Sequence, residues 1–252
     1  MQDVWIVGIK VFLAFALALA GGVISSLVSV SHKSLCRLIS LAAGALLGVT
    51  LFIIIPECAE RLSLTYIAVA LASGYVVFFL ISRYVSHVCP ACAASHFDEA
   101  ATHHFSEIAT AMIIALGLHS ALDGLALAWG FESGMMDSVN ASLLAAICIH
   151  KIPEGLALGA LLRGAGFSRR VVPLWVAAVE STTILGGALG LWLLPKASGE
   201  WMSLVLAHVG GGFIFLAFHA VFGELVKHGK RPVLTGFLTG VMLIVLIHWA
   251  IG

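Results

Sequence analysis

Eight times along its length the chain runs for about twenty positions with few charges, the span that the hydrocarbon core of a bilayer requires. In lipid every backbone N–H and C=O must find a partner inside the protein, and long continuous apolar runs meet that condition as helices. Hydropathy and the punctuation between runs place these helices at about residues 4–30, 35–58, 63–84, 107–131, 141–163, 172–194, 201–226 and 232–251. Composition agrees: 61% of the 252 residues are hydrophobic and 10% are charged, where a soluble domain carries about 25% charged residues. The expectation is an all-α integral membrane protein, a single transmembrane domain of eight helices over residues 1–252. Asp3 in place of a basic leader, and the length of the run behind it, mark a retained first span. A zero formal net charge gives no sign of nucleic acid as a partner, and five scattered cysteines make no disulfide framework.

Loop charges orient the spans. Lys33, Arg37, Arg83, Arg163, Arg169, Arg170, Lys227, Lys230 and Arg231 fall in one set of loops, and only Arg61 and Lys196 in the other. Basic loops stay in the cytoplasm, so both termini are expected outside, in a plasma or bacterial inner membrane. Trp5, Trp129, Trp192, Trp201 and Trp249 then line up as an outer aromatic belt. Glu57, Glu60, Glu132, Asp137 and Glu200 make that outer face acidic, which raises the local concentration of cations or simply solvates loops. Glycines spaced G-x-x-x-G (Gly44/Gly48, Gly155/Gly159, Gly186/Gly190, Gly236/Gly240) are read as close helix contacts.

Ionisable residues inside the spans are few and ordered. The fourth span reads HSALDGLALA from His119 and the fifth HKIPEGLALG from His150, a repeat of H-x-x-x-[D/E]-G-L-A-L. His119 and Asp123 share one helix face at i,i+4, and so do His150 and Glu154. On consecutive antiparallel spans, counting at about 1.5 Å per residue sets Asp123 level with His150 and His119 level with Glu154. Glu180 on the sixth span comes to the same depth. A charged side chain at the bilayer centre costs at least about 2.5–3.5 kcal/mol, so such a cluster marks function by default. Two imidazoles and two carboxylates suit a divalent transition metal, with Zn²⁺ or a similar ion as transported substrate and no organic cofactor. The layout is that of an inverted repeat with a site at its interface. Pro153, beside these residues, is expected to kink its helix and free the carbonyl of Ile149.

With these motifs in view, the sequence resembles the ZIP (Zrt/Irt-like protein) family of divalent metal transporters over nearly its whole length. HSALDG resembles the family's span-4 motif, more often H-N-x-x-[D/E]-G, and HKIPEG its span-5 motif. The resemblance implies uptake of Zn²⁺, and in some members Fe²⁺, Mn²⁺ or Cd²⁺, into the cytoplasm by alternating access, and a homodimer as the assembly. It places His119, Asp123, His150 and Glu154 at the main metal site, with Glu180 added by spacing. Two positions depart from the family pattern. Ser120 stands where many members have Asn, and Lys151 where members with two adjacent metals have an acid. An ammonium there repels a second dication and is placed to pair with Glu180, so one metal per site is expected, with Lys151 standing in for the other.

The hydrophilic loop at about 85–106 is expected in the cytoplasm. It carries His87, Cys89, Cys92, His96, His103 and His104, a CxxC with histidines at metal-like spacing. A weak capture or sensing site and an ordinary reduced loop are both open there. In the seventh span His208, His219 and Glu224 are either pathway residues or interfacial polar groups, and His248 beside Trp249 is an interfacial anchor. Two other classes compete with transport: a membrane hydrolase using zinc to activate water, and electron transfer through a haem held by His119 and His150. No HExxH motif supports the first, and the second leaves two carboxylates without a role.

Overall fold

A computed structural model describes residues 2–28, 32–84, 102–132, 137–193, 199–228 and 230–251. They form α1 (Gln2–Leu27), α2 (His32–Val49, continued by a π-helical segment Thr50–Ile54 and an α turn Ile55–Ala59), α3 (Leu64–Tyr84) and α4 (Thr102–Glu132). After these come α5 (Asp137–Gly164), α6 (Val172–Leu193), α7 (Gly199–His228) and α8 (Lys230–Ile251). Among the described residues, seven helices are long and apolar enough to cross a membrane, which makes this a multi-pass membrane protein. The remaining helix, α4, has 31 residues, about 46 Å at about 1.5 Å per residue, ample length for a crossing. It starts at Thr102 rather than near 107, so His103 and His104 lie on helix. Their side chains, and residues 85–101 with His87, Cys89, Cys92 and His96, lie outside the described residues.

The helices sort into two groups. In the first, α4 packs on α6, and α1 packs on both α5 and α6; in the second, α2 packs on α8 and α7, and α3 packs on α7. Glycines decide how closely. A Cβ at Gly155 would overlap the carbonyl oxygen of Ala18, joining α5 to α1, and one at Gly186 would overlap that of Ala121, joining α6 to α4. In the second group Gly240 sits on the carbonyl of Leu41 and Gly211 on that of Leu71. Lipid supplies no hydrophobic force between helices, so backbones in van der Waals contact are what hold a group together. Among the described residues no glycine is pressed against backbone across the boundary between the groups. There α2 and α8 pack against α5 through side chains.

Two details differ from expectation. Trp129 is 1% exposed, inside the apolar cluster with Leu143, Ile147, Met202 and Leu206, so it does not belong to the interfacial belt. Its helix is enclosed by α5, α6 and α7, whereas Trp5, Trp192, Trp201 and Trp249 sit on outward faces and are more than half exposed. α5 runs as one continuous helix from Asp137 to Gly164 through Pro153. An irregular turn lies in α2, just before Pro56. Without an N–H, and with a ring that clashes at i−4, Pro56 cannot bond the carbonyl of Phe52. The preceding turn widens, and the N–H of Ile55 reaches back to Thr50 O in the π pattern.

The α5–α6 turn is tight. Gly166 takes φ +88°, a left-handed conformation that glycine adopts without Cβ strain. The N–H groups of Gly166 and Phe167 then bond the carbonyls of Arg163 and Leu162 at 3.1 and 3.0 Å. So short a connection keeps α5 and α6 antiparallel neighbours, which brings Glu180 beside the α4–α5 motifs.

Candidate metal site

The first helix group supplies every polar residue of the buried cluster. His119, Ser120 and Asp123 come from α4, His150, Lys151 and Glu154 from α5, and Glu180 from α6. Ser120, Asp123, Lys151 and Glu180 are fully buried, and His119, His150 and Glu154 are 4–5% exposed. Gly124 lets the α4 backbone lie on that of α6 at Thr183, and Gly155 lets α5 lie on α1. The glycine that follows each acid thus draws the ligand-bearing helices into their group.

One histidine nitrogen, one nitrogen from the other ring and one oxygen from each of Asp123 and Glu154 lie within 4.8 Å of one another. That is slightly open for a tetrahedral zinc site, where bonds of about 2.0–2.1 Å put ligand atoms roughly 3.4 Å apart. His150 Nδ1 lies 3.0 Å from the carbonyl of Ala146. A carbonyl only accepts, so Nδ1 carries a proton. Nε2 faces Asp123 Oδ2 at 3.2 Å and Glu154 Oε2 at 3.9 Å. A carboxylate also only accepts, so Nε2 meets Asp123 either through a proton that it donates or through a metal ion in that proton's place, and an Nδ1–H to carbonyl bond is how a metal-bound histidine is usually held. His119 places Nε2 3.6 Å from the same Asp123 oxygen. His119 Nδ1 and Asp123 Oδ1 are buried without a hydrogen-bond partner.

Lys151 completes the arrangement. Its Nζ lies 2.9 Å from each of Asp123 Oδ2, Glu154 Oε2 and Glu180 Oε2, and it donates to Ser120 Oγ at 2.7 Å. The Ser120 hydroxyl is within donating reach of Glu180 Oε2 at 3.1 Å and Glu154 Oε1 at 3.4 Å. Asp123 Oδ2 and Glu154 Oε2 therefore face an imidazole on one side and the ammonium on the other. Buried charges persist only when paired and hydrogen-bonded, and the lysine supplies that pairing for three acids at once.

Among the described residues, the second helix group contributes no ligand candidate to the cluster; it contributes rings. Phe213 on α7 meets both imidazoles, and Phe78 on α3 meets His119. Sequence reasoning did not single these out, because phenylalanine in an apolar span is background; the glycine run Gly210–Gly212 beside Phe213 was the one available hint of close approach. His208 sits apart, its Nδ1 2.8 Å from Ser73 Oγ, and His219 stacks on Phe215 at 4.4 Å. Neither joins the cluster, and the side chain of Glu224 lies outside the described residues. His248 lies 3.4 Å from Ser142 Oγ.

The imidazole rings of His119 and His150 are 5.3 Å apart with Asp123 Oδ2 set toward both, and Asp123 and Glu154 are both held by Lys151.

Comparison with known proteins gives the setting. The family model described as ZIP zinc transporter matches residues 91–248. An uncharacterized protein of Methanocaldococcus jannaschii is 26% identical over 220 residues, 87% of each chain. The zinc transporter YKE4 of Saccharomyces cerevisiae is 23% identical over 225 residues, 79% of this chain and 63% of its own. The zinc transporter ZIP13 of Gallus gallus is 34% identical over 93 residues, 34% of this chain and 24% of its own. The chain thus spans most of the archaeal relative, but under two thirds of the yeast protein and about a quarter of the chicken one.

Proposed function

Because the chain belongs to the ZIP zinc transporter family, we propose that it carries a divalent transition-metal ion, Zn²⁺ foremost, into the cytoplasm through the buried cluster of α4 and α5. His119, Asp123, His150 and Glu154 bind the ion. Lys151 holds the place of a second cation, with Ser120 and Glu180 anchoring it, so the site takes one metal. The observation that supports this reading is the meeting of the two H-x-x-x-[D/E] pairs in one buried cluster, with a potential ligand atom from each residue within 4.8 Å of the others. Fe²⁺, Mn²⁺ and Cd²⁺ share enough of that ligand chemistry to be alternative cargoes.

The residues act by exchange. The carboxylates replace the hydration shell of the arriving ion, and its two charges neutralise two acids that would otherwise be costly at this depth. Alternating access is supported by the two helix groups: each is locked internally by glycines lying on neighbouring backbone, and no described glycine makes such a contact across the boundary. The group bearing the ligands moves as a unit against the other, as one domain of two bodies. Both termini lie outside, as the basic loops require, and a homodimer is the assembly the family implies.

Uptake of Zn²⁺ into proteoliposomes by the parent, His150→Ala and Glu154→Ala proteins tests the site; both variants fall to the empty-vesicle rate, and undiminished uptake in both removes the assignment. Calorimetric titration of the purified protein gives one equivalent at the transmembrane site, and two equivalents there would remove the role given to Lys151.

A further inference from the structure

Phe213, on the second helix group, sets its ring against both site imidazoles. Its side chain is 1% exposed, and its ring centre lies 6.1 Å from that of His119 at 79° and 6.2 Å from that of His150 at 63°. Phe78 meets His119 at 6.0 Å and 85°, and Phe215 stands behind Phe78 at 6.3 Å. Ligand candidates thus come from one side of the boundary, and a wall of hydrocarbon closes the other. The rings of that wall offer an ion neither oxygen nor nitrogen.

Cations differ in how much that matters. Zn²⁺ has no geometric preference from its d electrons and sits comfortably with four ligands. Mn²⁺ favours octahedral oxygen shells, and Mg²⁺ gives up its water reluctantly. The apolar surroundings of a metal site control solvent access and hence which ion is comfortable there.

We infer that Phe213 is a specificity-determining residue of the transport site: by excluding water beside His119 and His150 it favours a four-coordinate ion over one that keeps part of its hydration. It acts through volume and dryness, not as a ligand. The inference rests on the cluster being the transport site. Were Phe213 only packing between the helix groups, its loss would slow every cation alike.

The test is initial-rate uptake into proteoliposomes of Zn²⁺ and of Mn²⁺, measured separately for the full chain and its variants. The readout is the ratio of Vmax/KM for the two ions, which does not depend on the fraction of protein that is folded. In Phe213→Ala the ratio shifts toward Mn²⁺ by roughly tenfold, the low end of what changes around the first ligands of a metal site produce, mostly through a higher KM for Zn²⁺. Phe213→Leu keeps apolar bulk and stays near the parent ratio. Phe215→Ala removes an equal ring that has no contact with the imidazoles, and leaves the ratio unchanged. If Phe213→Ala does not fold, Phe213→Val reads the same shift at smaller size. An unchanged ratio in the shortened Phe213 variants overturns the inference, as does an equal shift in Phe215→Ala. Glu154→Ala in the same series keeps the two failures apart: uptake that survives it sinks the site, and uptake that it abolishes, with a constant ratio at Phe213, sinks only the role of Phe213.

Discussion

The two helix groups differ in what they bury at the same depth. The group of α1, α4, α5 and α6 buries two imidazoles, three carboxylates, a hydroxyl and an ammonium. Beside that cluster, the group of α2, α3, α7 and α8 sets phenylalanine rings, and its buried polar residues Ser40, Thr50, Glu57 and Ser203 are not among the cluster's members. Both are locked by the same device, glycine on a neighbouring carbonyl. Tight packing is therefore common to both groups, and the difference lies in chemistry: one half holds the charged cluster, and the other sets aromatic rings against it. A polar cluster in lipid needs its counter-charges close and fixed, and the ligand-bearing group meets that need without help from across the boundary.

Substitutions in each half separate these roles. The largest effect is expected at Glu154, which faces both His150 and Lys151. Glu154→Ala should abolish Zn²⁺ uptake in proteoliposomes while leaving the protein monodisperse in detergent. Next comes Lys151→Met, which strands three buried acids; breaking a buried pair costs about 3–5 kcal/mol, seen as a lowered midpoint of thermal unfolding. Saturating Zn²⁺ should restore part of it, whereas an effect that zinc does not touch would argue that the ammonium and the metal do not share Asp123 and Glu154. Gly155→Leu forces α5 off the Ala18 carbonyl; overpacking of this kind costs about 1–3 kcal/mol, and uptake falls with it. The smallest effect belongs to the lipid-facing side of the second group. Leu238 on α8 is 58% exposed, and Leu238→Ala should change stability by less than about 0.5 kcal/mol and leave uptake intact.

Acidity gives a further check on the charged half alone. Protons and metal compete for the same imidazole and carboxylate atoms, so Zn²⁺ affinity falls as pH falls. Calorimetry across a pH series should show the loss, with protons released on binding. Affinity independent of pH would mean that the ligands are not these groups.

Much of the charged half was legible in the sequence, and little of the apolar half. A histidine, an acid four residues on and a glycine, repeated 31 residues later, fix a shared face and a common depth, because helical period and rise are constants. Asp123 beside His150 and Lys151 beside Glu180 follow from that counting. Periodicity says which residues of a helix share a face but not which helix lies opposite. In lipid the outward face is apolar too, so hydropathy does not separate inside from outside. For that reason Trp129 passed for an interfacial residue, and Phe213 and Phe78 passed for ordinary span residues. The π turn before Pro56 was readable only as a disturbance, since proline fixes what it cannot bond and not how the helix recovers.

The tethered ammonium has an electrical consequence. With three carboxylates against one lysine, the cluster without metal carries two formal negative charges, and a bound dication brings it to neutrality. In the proposed cycle the loaded site therefore crosses the membrane field as a neutral body, and the empty site returns as an anion. Each charge feels about 2.3 kcal/mol per 100 mV, so a membrane that is negative inside drives the vacant carrier outward again. Voltage would then act on the reset of the transporter and not on the step that delivers the metal.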